Sequence, residues 1–123
     1  MPQQPPSAAP GGLQAFKAEF FKALAHPVRI RILEILRERE KSVYELQDAL
    51  GLDQSTVSQQ LAVLRAKNVV HARKQGTTVR YAMLDPGVGD VLDAARLVFN
   101  NQLIGHQTLL RELKRESRRQ ARR

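Results

Sequence analysis

Between Gln54 and Gln59 the chain sets out Gln54, Ser55, Thr56, Ser58 and Gln59, five side chains that donate and accept hydrogen bonds without carrying charge. An amide can pair bidentately with an adenine edge, and a hydroxyl can serve a base or a phosphate. Solvated helix faces usually carry Glu and Lys, and neither occurs from Gln54 to Leu64. These residue types suit the reading of base edges, with a helix N-terminus favouring a phosphate beside them. Cations follow at Lys67, Arg73, Lys74 and Arg80, with Gly76 and Thr77 between the last two. They suit phosphate contact or minor-groove insertion. The competing reading is a solvated hairpin with edge-blocking charges.

The elements that must position these groups follow from periodicity. Leu13, Phe16, Phe20 and Leu24 recur at three- and four-residue steps, which predicts a first helix from Leu13. Pro27 suits the first turn of a second, nearly all-apolar helix reaching Leu36. Ser42 with Glu45 three residues on is a capping-box pattern, and the short helix it opens closes on Gly51 after Leu50. Only Leu52 and Asp53 precede the next helix, Gln54–Lys67, whose Val57, Leu61 and Leu64 form one apolar stripe. Two short helices across a tight glycine turn make a helix-turn-helix, with the polar set of Gln54–Gln59 away from the stripe. Val69–Lys74 and Val79–Leu84 then read as two strands around Gln75–Thr78, a basic hairpin or wing.

Asp85-Pro86 opens a last helix running to Leu113, roughly 40 Å long. Its apolar stripe is too long for so small a body to cover alone, so a second copy is the expected partner. The expected interface is Leu13, Phe16 and Phe20 from the first helix with Val91, Leu92, Ala95, Val98, Phe99, Leu103, His106 and Leu110 from the last. The predicted fold is mainly α with a small β-hairpin (α+β). Its order is four helices, hairpin and long helix, and it pairs as a homodimer through the first and last helices. Residues 1–12 are expected as a disordered tail, 13–113 as the domain and 114–123 as a basic C-terminal tail.

Composition narrows the functions. With no cysteine there is no disulfide framework, thiolate metal site or thiol catalysis. No Gly-rich phosphate loop and no framed carboxylate pair is present, so no enzyme is expected. No run approaches the roughly 20 apolar residues that span a bilayer, and no leader is seen, so a soluble cytoplasmic protein without membrane contact is expected. The net charge is +8, and residues 113–123 hold six cations against Glu116 alone. Such a tail either extends the last helix and adds sequence-independent nucleic-acid affinity or is a solubilising disordered end.

The order of elements resembles the ArsR-type winged-helix repressors. The resemblance is carried by Leu24-Ala25-His26-Pro27-x-Arg29, by Leu50-Gly51-Leu52-x-Gln54-Ser55-Thr56-Val57-Ser58, and by Arg73-x-x-Gly76-x-x-x-x-Tyr81. It covers about residues 13–112. It implies a homodimer on double-stranded DNA, and an operator released by an effector or through an accessory sensor protein. Metal sensors of that family place cysteines where this chain has Ser42 and Tyr44, so that site is absent. Their last-helix site, Asp-x-His, ten residues, His-x-x-His, is half present: Asp93 and His106 match, whereas Ala95 and Leu109 hold the other positions. Thirteen residues are about 220° of helix, so Asp93 and His106 could share Ni²⁺ or Zn²⁺ only across an antiparallel dimer. The competing reading is an interface histidine and an aspartate favouring the helix dipole. Two other functions stand beside the repressor. One is an effector-independent or architectural DNA-binding protein. The other is a winged-helix protein-interaction module, which would want an apolar patch where the sequence has polar groups.

Overall fold

The computed structural model describes residues 11–121. The elements are α1 (Gly12–Leu24), α2 (Pro27–Leu36), β1 (Lys41–Ser42), α3 (Val43–Leu50), α4 (Gln54–Ala66), β2 (Val70–Gln75), β3 (Thr78–Met83) and α5 (Gly87–Ala121). The expected tail 1–12 lies mostly outside the described residues. Its last residue, Gly12, begins α1, and Gly11 stands at the N-cap, its N–H donating to Gln14 Oε1 at 3.2 Å.

Capping chemistry sets the boundaries of the helix-turn-helix. His26 Nδ1 accepts from the Val28 N–H at 3.1 Å, and Pro27 occupies the first helical position of α2. Ser42 and Glu45 form the expected capping box of α3, with both reciprocal bonds made. Gly51 closes α3 at φ +67°, a conformation that costs glycine nothing. The end of α4 was less legible. Asn68 sits at φ +58°, the Val69 N–H reaches back to the Leu64 carbonyl at 2.9 Å, and the Asn68 N–H reaches Arg65 at 3.1 Å. That pair of bonds is a Schellman motif, and it delivers the chain directly into β2.

The wing differs from a simple hairpin. β3 pairs with β2 along its whole length and also, on its other side, with β1, giving the order β1-β3-β2. β1 is only Lys41–Ser42, opposite Tyr81 and Arg80. A two-residue strand has no periodicity to read, which is why the sequence predicts two strands and the protein has three.

Up to Gly89 the chain forms one compact unit. Its centre is Ile32 and Leu33 of α2, Leu46 of α3, Val57, Leu61 and Leu64 of α4, and Val69 and Val70 leading into β2, all essentially inaccessible. α4 packs against α2, α3 and β2, so the predicted stripe is the buried one. From Asp90 onward α5 is a second unit. It does not stop at Leu113: the helix continues through the arginine-rich segment to Ala121. No breaker interrupts 114–121, and cations in a last turn favour the helix dipole.

Leu46→Ala removes a fully buried side chain at the junction of three helices. It should destabilise by about 2–5 kcal/mol, measured by denaturant unfolding.

Candidate nucleic-acid interface

α4 begins at a charged cap. Asp53 Oδ2 accepts the Thr56 N–H at 3.2 Å, and Asp53 Oδ1 accepts the Thr56 hydroxyl proton. These bonds, the hydroxyl's foremost, hold the Asp53 carboxyl below its ordinary range. Of the expected reading residues, Gln54, Ser55, Ser58 and Gln59 are exposed on α4. Thr56 is half-buried and its donor is committed to the cap. It therefore shapes the start of the helix and can offer a ligand only its acceptor capacity.

Lys67 lies at the other end of α4, about 20 Å along the helix from Gln54. Its ammonium pairs with Glu19 of α1 at 3.1 Å, and Glu19 also pairs with Lys22 at 3.2 Å. The Lys67 bond is the main reason the Glu19 carboxyl lies below its usual value. The structure thus ties Lys67 to α1 rather than grouping it with the reading residues.

The wing tip is a two-residue turn, Gly76–Thr77, closed by Gln75 opposite Thr78. Gly76 has φ +63°, as the first position of a type II′ turn requires. Lys74 and Thr77 are exposed there. The two arginines have other partners. Arg73 pairs with Glu40, just ahead of β1. Arg80 holds the same carboxylate through Nε at 3.3 Å and reaches Glu45 of α3 at 3.0 Å. It also donates to the Glu40 carbonyl at 3.3 Å. Arg80 is therefore a strut between β3 and the start of the helix-turn-helix.

Arg65 was not singled out in the sequence. It shares a groove of about 420 Å³ with Ser58, Leu61, Ala62, Ala66 and Tyr81. Ser58, Ala62 and Arg65 follow at four- and three-residue steps, the spacing that marks one helix face, so the signal was present. Arg65 and Lys74 are the cations of α4 and the wing without an ion pair among the described residues.

The expected interface residues lie on two separate elements. On α1, Leu13 and Phe16 are exposed, and Phe20 stacks edge-on against Phe21 with ring centres 5.5 Å apart. On α5, Val91, Leu92 and Ala95 are half-buried, whereas Val98, Phe99, Leu103, His106 and Leu110 are exposed. Leu97 and Ile104, which lie off the predicted stripe, are exposed as well. Asp93 and His106 face apart on α5. No three His, Cys, Asp or Glu side chains converge among the described residues. None of the described helices is long and apolar enough to cross a membrane.

Residues 26–72 match the bacterial regulatory protein, arsR family. The HTH-type transcriptional regulator Rv0081 of Mycobacterium tuberculosis is 47% identical over 103 residues, covering 83% of this chain and 90% of that protein. The HTH-type transcriptional repressor SmtB of the same species is 41% identical over 90 residues, 72% of this chain and 67% of its own. The crystal structure of Rv0081 superposes with a TM-score of 0.72 over 79% of this chain and 98% of that one. The homodimeric winged helix-turn-helix DNA-binding domain of Mb0332 from Mycobacterium bovis, at 28% identity, gives 0.69 over 79% and 94% of the two chains.

Two outcomes separate the struts and caps from the free groups. Arg80→Ala should lower the unfolding midpoint by the equivalent of about 1 kcal/mol, whereas Lys74→Ala should leave it unchanged. Because the Asp53 carboxyl is depressed on folding, its cap is at full strength above the ordinary aspartate range and is lost as pH falls through the lowered value. Asp53→Asn keeps a capping acceptor but no charge, so it should flatten that part of the acid-unfolding curve.

Proposed function

Because this chain belongs to the ArsR family of bacterial regulatory proteins, we propose that it is a repressor that binds a palindromic operator in cytoplasmic double-stranded DNA as a homodimer. The observation that carries this reading is the outer face of α4: Gln54, Ser55, Ser58 and Gln59, exposed, uncharged and rich in hydrogen-bonding atoms, on the second helix of a helix-turn-helix. A partner-protein surface would present apolar groups there, and this face has none of size. Gln54 and Gln59 can each take an adenine edge bidentately, while Ser55 and Ser58 reach bases or phosphate oxygens. Lys74 and the Gly76–Thr77 tip supply the wing contact, and Arg65 a phosphate contact beside Tyr81.

Dimerisation is supported by the apolar surface left open on each helix. Leu13, Phe16 and Phe21 on α1, and Phe99, Leu103 and Leu110 on α5, are all more than half exposed. A monomer rarely leaves so many large apolar side chains in water along its helices. A two-fold pair of reading helices matches a palindrome, with half-sites about one helical turn apart or a multiple of it. Release by an effector belongs to the same reading. If the effector is Ni²⁺ or Zn²⁺, Asp93 of one copy must meet His106 of the other.

Selection of bound fragments from genomic DNA tests the core of this proposal. The expected result is one palindromic motif, with a preference that Gln54→Ala and Ser58→Ala each weaken by about 1–3 kcal/mol. A shapeless collection of fragments would identify an architectural protein, and no retained DNA would identify an interaction module.

A further inference from the structure

The reading head is short of free positive charge. Lys67 is matched by Glu19, and Arg73 and Arg80 by Glu40 and Glu45, leaving Arg65 and Lys74. Two cations per copy, four in a homodimer, are fewer than the roughly 6–10 phosphate contacts that give a protein a steep salt dependence on DNA.

α5 holds the missing charge in an ordered form. Arg111, Lys114, Arg115, Arg118 and Arg119 are exposed, and none pairs with Glu112, Glu116 or any other of the described residues. At about 100° per residue, the five fall within an arc of roughly 140°. The centre of that arc lies about 130° from that of the stripe of Phe99, Leu103, His106, Leu110 and Leu113, with Lys114 at the near edge and Arg115, Arg118 and Arg119 farther round. A second copy seated on the stripe would therefore leave Arg115, Arg118 and Arg119 in water. Four of the five are arginines, whose guanidinium fork matches phosphate oxygens bidentately. No large apolar residue follows Leu113, so this end of the helix has no face that could enter a bilayer.

We propose that the last turns of α5 are a second nucleic-acid contact, a helical arginine face that grips duplex phosphates without reading sequence. This inference rests on the DNA-binding reading above. It assigns to α5 a share of the affinity that α4 and the wing lack the charge to supply.

The test is the salt dependence of binding by the full chain to a random-sequence duplex of about 40 base pairs, long enough for both contacts. The triple variant Arg115→Gln, Arg118→Gln, Arg119→Gln keeps good helix formers and leaves the apolar stripe intact. Circular dichroism and light scattering check its helix and its oligomeric state. The expected result is a slope of log affinity against log salt shallower by roughly 2 or more, restored when the same positions carry Lys. An unchanged slope in the Gln variant overturns the proposal. So does an unchanged slope accompanied by loss of co-sedimentation with phosphatidylglycerol vesicles, which would assign the face to an anionic membrane. If the unaltered chain binds neither this duplex nor genomic fragments, the DNA-binding reading itself fails. A sequence-selective protein with an unaltered slope would sink the α5 contact alone.

Discussion

A thirteen-residue helix can hide one stripe, and on α4 that stripe is Val57, Leu61 and Leu64. Each is worth about 1.5–3 kcal/mol of burial, whereas a hydrogen bond returns about 0.5–1.5. Turning α4 by one residue would bring leucines into water and drive Ser58 or Gln54 into the core, so no rearrangement of the polar face can compete. The groups offered to a ligand are thus fixed by what lies behind them. The Asp53 cap and the Asn68 Schellman turn then fix where that face begins and ends.

The same ordering of magnitudes explains the wing. A short hairpin is marginal by itself, and this one gains a third strand and a shared carboxylate. Glu40 stands where the α2–α3 connection meets the sheet and holds arginines from both hairpin strands. Arg80 adds Glu45, whose carboxyl lies below its usual range mainly because it accepts the Ser42 N–H. One acidic residue ahead of β1 thereby couples wing orientation to the start of α3. The consequence is a difference among cations that look equivalent in the sequence: Arg73 and Arg80 are ion-paired to Glu40 or Glu45, whereas Lys74 and Arg65 have no ion pair among the described residues.

Much of this was legible before any coordinates. The stripe of α4, the capping box at Ser42, the glycine after Leu50 and the basic hairpin each rest on local rules, and local rules survive folding. Other features have no local signature. The pairing of Lys67 with Glu19 spans 48 residues, and that of Arg73 with Glu40 spans 33. Such partners are invisible to any short window. β1 was too short to have a period. Composition leaves a helical extension and a disordered end both open for the basic tail, and helix propensity, with no Gly or Pro to stop it, carries α5 on to Ala121.

The 35 residues of α5 form one unbroken rod of about 52 Å. A rod converts angle into distance. A tilt of about 5° at its start moves its far end by between 4 and 5 Å, more than the reach of a hydrogen bond. The helix is thus a lever: a tilt of about 5° at Gly87 becomes a displacement of about 4 Å at Arg119.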